Sequence, residues 1–240
     1  MKPFLPLLLA ALTGAAVPTS ALALEPFVAN YEVFNGGKAL GDATMQVKPE
    51  GGGRWRIDLD IRAEHGMMSL AGAAAQQTTV FDVVGDAYRP LSQKMVRKVL
   101  FSKRVIDGNY DWNQRSAQWT GDVKEHRRKP IPLQDGDMSG LLINLAVVRD
   151  AQPGKTLSYR FVDSGRARPH QYVVQQELEG VKIDDMSFNA MRVNRVQSGS
   201  EETSIWVVDG VPTPVRILQR EEGQDTYDLR LVEYKGVNEQ

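Results

Sequence analysis

From Arg54 to Arg62 the chain alternates without a break, with Trp55, Ile57, Leu59 and Ile61 on one side and Arg54, Arg56, Asp58, Asp60 and Arg62 on the other. Successive strand residues point to opposite faces, so this period of two predicts a half-buried antiparallel strand with a charged outer face. Shorter runs of the same kind recur at 27–34, 39–47, 78–84, 94–106, 110–112, 118–123, 157–162, 171–178, 191–196, 204–208, 215–219 and 227–234. Between them stand Asn35-Gly36-Gly37, Gly51-Gly52-Gly53, Gly85-Asp86, Asp107-Gly108-Asn109 and Asp209-Gly210. These residue types tolerate the positive φ of tight turns, so the pattern reads as a meander of hairpins.

One stretch departs from period two. Leu141, Leu142, Leu145 and Val148 share a helical face, Asp135, Asp137 and Ser139 precede them as caps, and Pro153-Gly154 follows. This predicts an amphipathic helix from Asp137 or Ser139 to Asp150. Parallel βαβ units would need repeated helical crossovers, and a single helix does not supply them. The fold class expected is therefore mainly β: a curved antiparallel sheet or open barrel-like meander, with one amphipathic α-helix packed on or plugging its concave side. The segment Gly66 to Ala75, with Met67 and Met68, is apolar, small and flexible. It reads as a short helix or buried turn, or as a mobile lip over a cavity.

The first residues change the picture by adding a compartment. Met1-Lys2 is a short positive start, Phe4 to Ala16 is apolar, and Pro18 precedes Ala21-Leu22-Ala23. That is the pattern of a secretory signal cleaved after Ala23, and the apolar stretch is shorter than the roughly 20 residues of a spanning helix. Residues 1–23 are thus expected to leave, and 24–240 to form one β-rich domain, soluble in the periplasm, with no membrane span. The chain has no Cys, so stability must come from burial without disulfides. A formal charge of -1 gives no basic field for nucleic acid. The basic cluster Lys124 to Lys129 reads as a solvated strand end, against a contact with lipid headgroups.

Candidate chemistry is sparse. Without Cys there is no thiol catalysis or thiolate metal site, and His65, His126 and His170 are isolated, without the paired spacing of a metal site, and read as surface or strand-edge residues. No metal and no cofactor are expected. Ser139 and Ser164 lack the strand-turn-helix setting of a nucleophile elbow, and Ser139 fits a helix cap better. Gly51-Gly52-Gly53 lacks the helix and the Lys-Ser/Thr pair of a phosphate loop. Asp58 and Asp60 should face solvent by alternation, and the pairs Asp184-Asp185 and Glu201-Glu202 lie in turn-like stretches. The expectation is a non-enzyme. Phe81, Tyr110, Trp112, Trp119 and Trp206 lie in predicted strands, where a core role comes first.

Three stretches together resemble a known family. They are Ala29 to Gly37 with Gly41-Asp42-Ala43-Thr44-Met45; Asp137-Met138-Ser139-Gly140-Leu141-Leu142; and Trp206 to Asp209 leading to Pro214-Val215-Arg216 and Tyr227 to Leu231. The chain resembles the bacterial envelope family called domain of unknown function 3108, over nearly the whole length after the signal. The resemblance implies a secreted β-rich fold and carries over no catalytic residues. The shape is similar in kind to the curved, helix-plugged sheets of periplasmic lipoprotein carriers, a likeness of fold, which does not fix function.

Two functions follow as expectations. The first is a non-enzymatic periplasmic protein that receives an apolar or lipid-like ligand in its curved sheet. Its contacts would be Trp55, Ile57, Leu59, Phe81 and Trp112, with Met67 and Met68 at the rim. The second is an envelope interaction or scaffold protein, with a fully packed interior, that binds another protein through its outer surface or a free strand edge.

Overall fold

The computed structural model describes residues 24–183, 185–197 and 199–236. The signal stretch and its cleavage point after Ala23 lie outside the described residues. Fifteen strands form one continuous sheet. The first half comprises β1 (Phe27–Asn35), β2 (Lys38–Gly51), β3 (Arg54–Ala63), β4 (Ala74–Val84), β5 (Ala87–Val99), β6 (Ser102–Asp111), β7 (Ser116–Gly121) and β8 (Ile131–Pro132). The second comprises β9 (Asp137–Met138), β10 (Thr156–Asp163), β11 (Arg166–Ile183), β12 (Met186–Val196), β13 (Glu201–Val207), β14 (Arg216–Glu221) and β15 (Gln224–Gly236). β1 pairs with both β2 and β15, so the two halves run outward from it to the edges β8 and β9. The pairings are antiparallel except β9 with β10. The mainly β class and the open, curved meander expected from the alternation are what the chain adopts.

Register explains why the alternation works. Phe27, Val47, Ile57 and Thr79 stand opposite one another along one row, and Ala29, Met45, Leu59 and Gln77 along the next. Each row places apolar side chains from neighbouring strands on the same face, where burial stabilises each large one by about 1.5–3 kcal/mol. Two expected boundaries differ. The run 94–106 is not one strand: it folds back at Leu100-Phe101 between β5 and β6. Asp107-Gly108-Asn109 is not a turn but lies within β6, because Trp119 of β7 stands opposite Gly108 and covers its bare α-carbon.

The two edges approach each other without a backbone ladder. Tyr110 Oη donates to the Val162 carbonyl at 2.7 Å, and Arg160 bridges to Asp137 Oδ2 at 2.5 Å and to the Pro132 carbonyl at 3.4 Å. Tyr110, Ala117, Trp119, Val123, Leu133 and Val162 form a small second core at this seam. The sheet is curved and its edges are joined by side chains, so it remains open in hydrogen-bonding terms.

Among the described residues two α-helices interrupt the strands: α1 (Gly66–Leu70), a single turn, and α2 (Gly140–Asp150). α2 begins where the sequence placed it. Ser139 Oγ accepts the Leu142 amide at 3.4 Å, and Asp163 Oδ2 accepts the Gly140 amide at 3.1 Å, so two of the free amides at the helix start are satisfied. The expected single apolar stripe is wider in fact. Leu141, Leu142, Ile143, Leu145, Ala146 and Val147 are all buried, spread around the helix. A helix enclosed by a curving sheet has little face left for water, so apolar residues occupy most of its circumference.

Candidate functional site

Three parts of the chain fill the interior of the curved sheet. α2 brings the six buried residues named above. The inner rows of β1 to β4 bring Phe27, Tyr31, Met45, Ile57 and Phe81. The connection 208–215 between β13 and β14 also folds inward, with Val208, Val211, Thr213 and Val215 buried. Tyr31 Oη lies 2.5 Å from Thr213 Oγ1 and donates to the Pro214 carbonyl at 2.9 Å, which ties this connection to β1. The sequence showed only a turn at Asp209-Gly210. Its alternating Val211, Thr213 and Val215 were the signal that the connection packs inward.

The residues expected to line a ligand cavity do not share one surface. Ile57 and Phe81 have 0% exposure and Leu59 is buried, all three in the large core. Zero accessible area means that nothing as large as a water molecule touches a side chain, so no water-sized void borders Ile57 or Phe81. Trp55 is half-buried beside that core, opposite Phe81. Trp112 lies just past β6 and packs against the small seam core instead; its Nε1 donates to the Pro90 carbonyl at 2.7 Å and Arg89 stacks on its ring at 5.5 Å. Met67 and Met68 are exposed on α1.

Two expectations about polar groups are corrected. Asp58 does lie on the outer face, yet it is only 8% exposed. Arg56 Nε donates to it at 2.9 Å and Thr78 Oγ1 at 2.6 Å, so long neighbours on a curved face cover a short carboxylate. His170 is buried, not at a surface. It stacks on Phe161 with ring centroids 4.6 Å apart, and its Nε2 lies 3.0 Å from Arg195 Nη2. Arginine only donates, so Nε2 accepts and the ring is neutral. Burial first, then Arg195 and Arg168, pushes its pKa down to about 4.

Buried polar groups also gather at the seam. Ser139 Oγ lies 2.9 Å from Thr79 Oγ1, and Asp163 accepts from Gly140 N and Ser164 Oγ. Burial pushes the Asp163 carboxyl above the usual carboxylate range, against hydrogen bonds that lower it. Among the described residues, the hydrogen bonds of Ser139 reach a hydroxyl and an amide, neither of which can act as the base that activates a serine. These groups cap α2 and tie it to β4 and β10.

A polar depression of about 320 Å³ lies on the outer face of β2 to β5. Lys48, Arg56 and Lys94 line it with Asp58, Asp60, Gln76 and Thr78. Both charge signs and several amide and hydroxyl groups meet there, which suits a polar segment of another chain better than an acyl chain. A second outer-face ladder satisfies itself. Trp206 is sandwiched between Arg192 at 5.2 Å and Arg216 at 4.7 Å, and its Nε1 donates to Glu179 at 2.7 Å. Arg216 and Arg230 both bind the buried Asp228.

A family model described as Protein of unknown function (DUF3108) matches residues 30–230. No curated protein matches the chain. Among solved structures, the chain is similar to a β-barrel-like protein of domain of unknown function DUF1849 from Brucella abortus, with 11% identity and a TM-score of 0.55 over 91% of this chain and 100% of that one. It is also matched to a protein with a YmcC-like fold from Bacteroides fragilis, at 11% identity and a TM-score of 0.31 over 88% of this chain and 96% of that one. At such identity the first likeness is one of fold, and the second carries no argument.

Proposed function

The chain belongs to the DUF3108 family, and for this member we propose a non-enzymatic role in the cell envelope, exercised by binding another protein on its outer surface and not by carrying an apolar ligand inside. The observation that carries this reading is the content of the interior: Ile57 and Phe81, the centre of the expected cavity, have no accessible area and pack in one cluster with α2. An acyl chain needs a concave apolar space, whereas here the apolar residues are spent on one another. The polar depression lined by Lys48, Arg56, Asp58, Asp60, Gln76 and Lys94 is the contact surface in this reading. A signal pattern at residues 1–23 supports export to the periplasm. Among the described residues no helix is long and apolar enough to cross a membrane.

Strand addition at a sheet edge is less suited to this chain than the face itself. Each edge strand is two residues long, and side chains of Tyr110 and Arg160 already occupy the gap between the edges. Short edges are a common protection against unwanted pairing. A photo-crosslinking residue placed at Lys94 in the host is expected to give a discrete protein adduct, absent when the same residue replaces the exposed Lys182. Adduct-free monomer from Lys94 would overturn the reading.

A further inference from the structure

The hairpin between β5 and β6 turns on an apolar pair: among the described non-glycine residues with positive φ, which are Leu100, Arg115, Ser164 and Glu222, Leu100 alone is apolar. Its sequence is Arg97-Lys98-Val99-Leu100-Phe101-Ser102-Lys103-Arg104, and every one of these residues is exposed. Leu100 sits at φ 52°, in the left-handed region where glycine or asparagine is cheaper, and Phe101 is 104% exposed. Neither residue is explained by folding: a Gly at 100 and a polar residue at 101 would make a better turn. Local conflicts of this kind are expected where function is served.

The apex does not stand alone. The Leu100 amide donates to the Ala71 carbonyl at 2.6 Å, which fastens the hairpin to the segment after α1. Met67 and Leu70 of α1 are 85% and 88% exposed. Two separate excursions of the chain therefore present Met67, Leu70, Val99, Leu100 and Phe101 together at one end of the sheet.

Around this apolar tip stand five cations with fewer acids among them: Asp60 lines the hollow with Arg62, Lys98 and Lys103, and Asp42 stands opposite Arg62. Lys98 is directly opposite Lys103 and Arg97 directly opposite Arg104, pairings of like charge that cost stability in water. Arg62 lines the same outer hollow as Lys98 and Lys103. Among the described residues, Arg62, Arg97, Lys98, Lys103 and Arg104 make no salt bridge. Elsewhere arginines are paired in detail, as at Asp82, Asp137 and Asp228. By strand alternation Lys98 and Lys103 lie on one face of the hairpin and Arg97 and Arg104 on the other, so the cations flank the apex on both sides.

We propose that this tip docks on the surface of a phospholipid bilayer that carries anionic headgroups, with Phe101, Leu100, Leu70 and Met67 entering the interface and the five cations meeting the headgroups. Apolar side chains at an apex ringed by lysine and arginine are the composition that binds such an interface, and long basic side chains reach back to the headgroups as the apex enters. The opposed like charges, unfavourable in water, become favourable against a negative surface. This goes beyond the protein contact proposed above and does not depend on it: the two surfaces adjoin at Asp60 and Gln76, but the apolar apex at Leu100-Phe101 belongs to this one alone.

The test is flotation of the detergent-free protein with vesicles of phosphatidylglycerol and phosphatidylethanolamine, compared with phosphatidylcholine alone. Binding to the anionic vesicles, weaker at high salt, is expected, with little binding to phosphatidylcholine. Phe101→Ser removes a side chain that contributes no packing and should weaken binding at least tenfold; Lys98→Ser with Lys103→Ser should weaken it about thirtyfold at low salt. Phe101→Trp keeps an apolar ring and should retain binding, with a blue shift of the added emission on vesicles. No flotation with anionic vesicles overturns the proposal. So does flotation that Phe101→Ser leaves unchanged, or an added emission in the Phe101→Trp variant that stays that of an indole in water, outcomes that point to a protein partner or to nonspecific attraction.

Discussion

Leu142 lies in the first turn of α2, fully buried, and truncating it to alanine measures how completely the interior is filled. The substitution removes three carbons, a transfer loss of about 2.4 kcal/mol at about 0.8 kcal/mol per carbon. If the surroundings do not collapse, the space left is about 60–80 Å³, which adds about 1.5–2 kcal/mol at about 24 cal/mol per Å³. The expected destabilisation is therefore about 4 kcal/mol, falling to about 2.5 if neighbours relax into the gap. Urea unfolding followed by tryptophan emission and circular dichroism reads this directly, with Leu70→Ala on the exposed α1 as a control expected within about 0.5 kcal/mol of the parent. In an open ligand chamber Leu142 would already face solvent, so the cavity contribution would vanish and most of the transfer loss with it. A loss below about 1 kcal/mol would refute the packed interior.

Gly108→Ala would drive a β-carbon into Trp119 Nε1, on a ring that is fully buried and held to Gln93 Oε1 at 3.0 Å, so a loss of about 1–3 kcal/mol and a lower Tm are expected in a thermal melt. For Asp228, burial pushes the carboxyl pKa up but the hydrogen bonds from Arg216 and Arg230 outweigh it, leaving the folded value below the usual carboxylate range. Its contribution is thus present above that range and lost as pH falls; Asp228→Asn should cost about 1.5–3 kcal/mol at neutral pH, and less at about pH 3. His170 has a folded pKa of about 4 against about 6.5 when unfolded, so the unfolded chain takes up a proton that the folded one refuses as pH falls from 6.5 to 4. Stability should drop by about 2–3 kcal/mol across that window, and an imidazole titration by NMR that places His170 at or above about 6.5 would contradict it.

Much of the fold was legible because it rests on period two. The alternation from Trp55 to Ile61 shows up as the inner row of β3, buried at Ile57 and Leu59 and half-buried at its ends, and Ser139 caps α2 as its residue type suggested. What sequence missed shares a physical cause, contact between distant segments. Gly108 looked like a turn until Trp119 covered it, and Asp58 looked solvated until Arg56 and Thr78 closed over it. His170 looked like a surface residue because its stacking on Phe161 has no local signature. The turn at Leu100-Phe101 was hidden because it has the wrong residues for a turn, which is also why it stands out once its exposure is known. The candidate site was legible least. Apolar residues on one face of a curved sheet predict equally a lined cavity and a core, and the depth of α2 and the inward path of 208–215 are what favour the core in the proposed reading.

The most direct test of the packed interior is native mass spectrometry, with organic extraction, of the protein purified without detergent from the envelope of its own host. The account predicts the mass of the polypeptide alone and an extract with no apolar molecule near one per chain. A lipid or other apolar molecule retained at about one per chain, and not exchanged when the protein is incubated with excess vesicles, would contradict it and return the interior to the role of a ligand site.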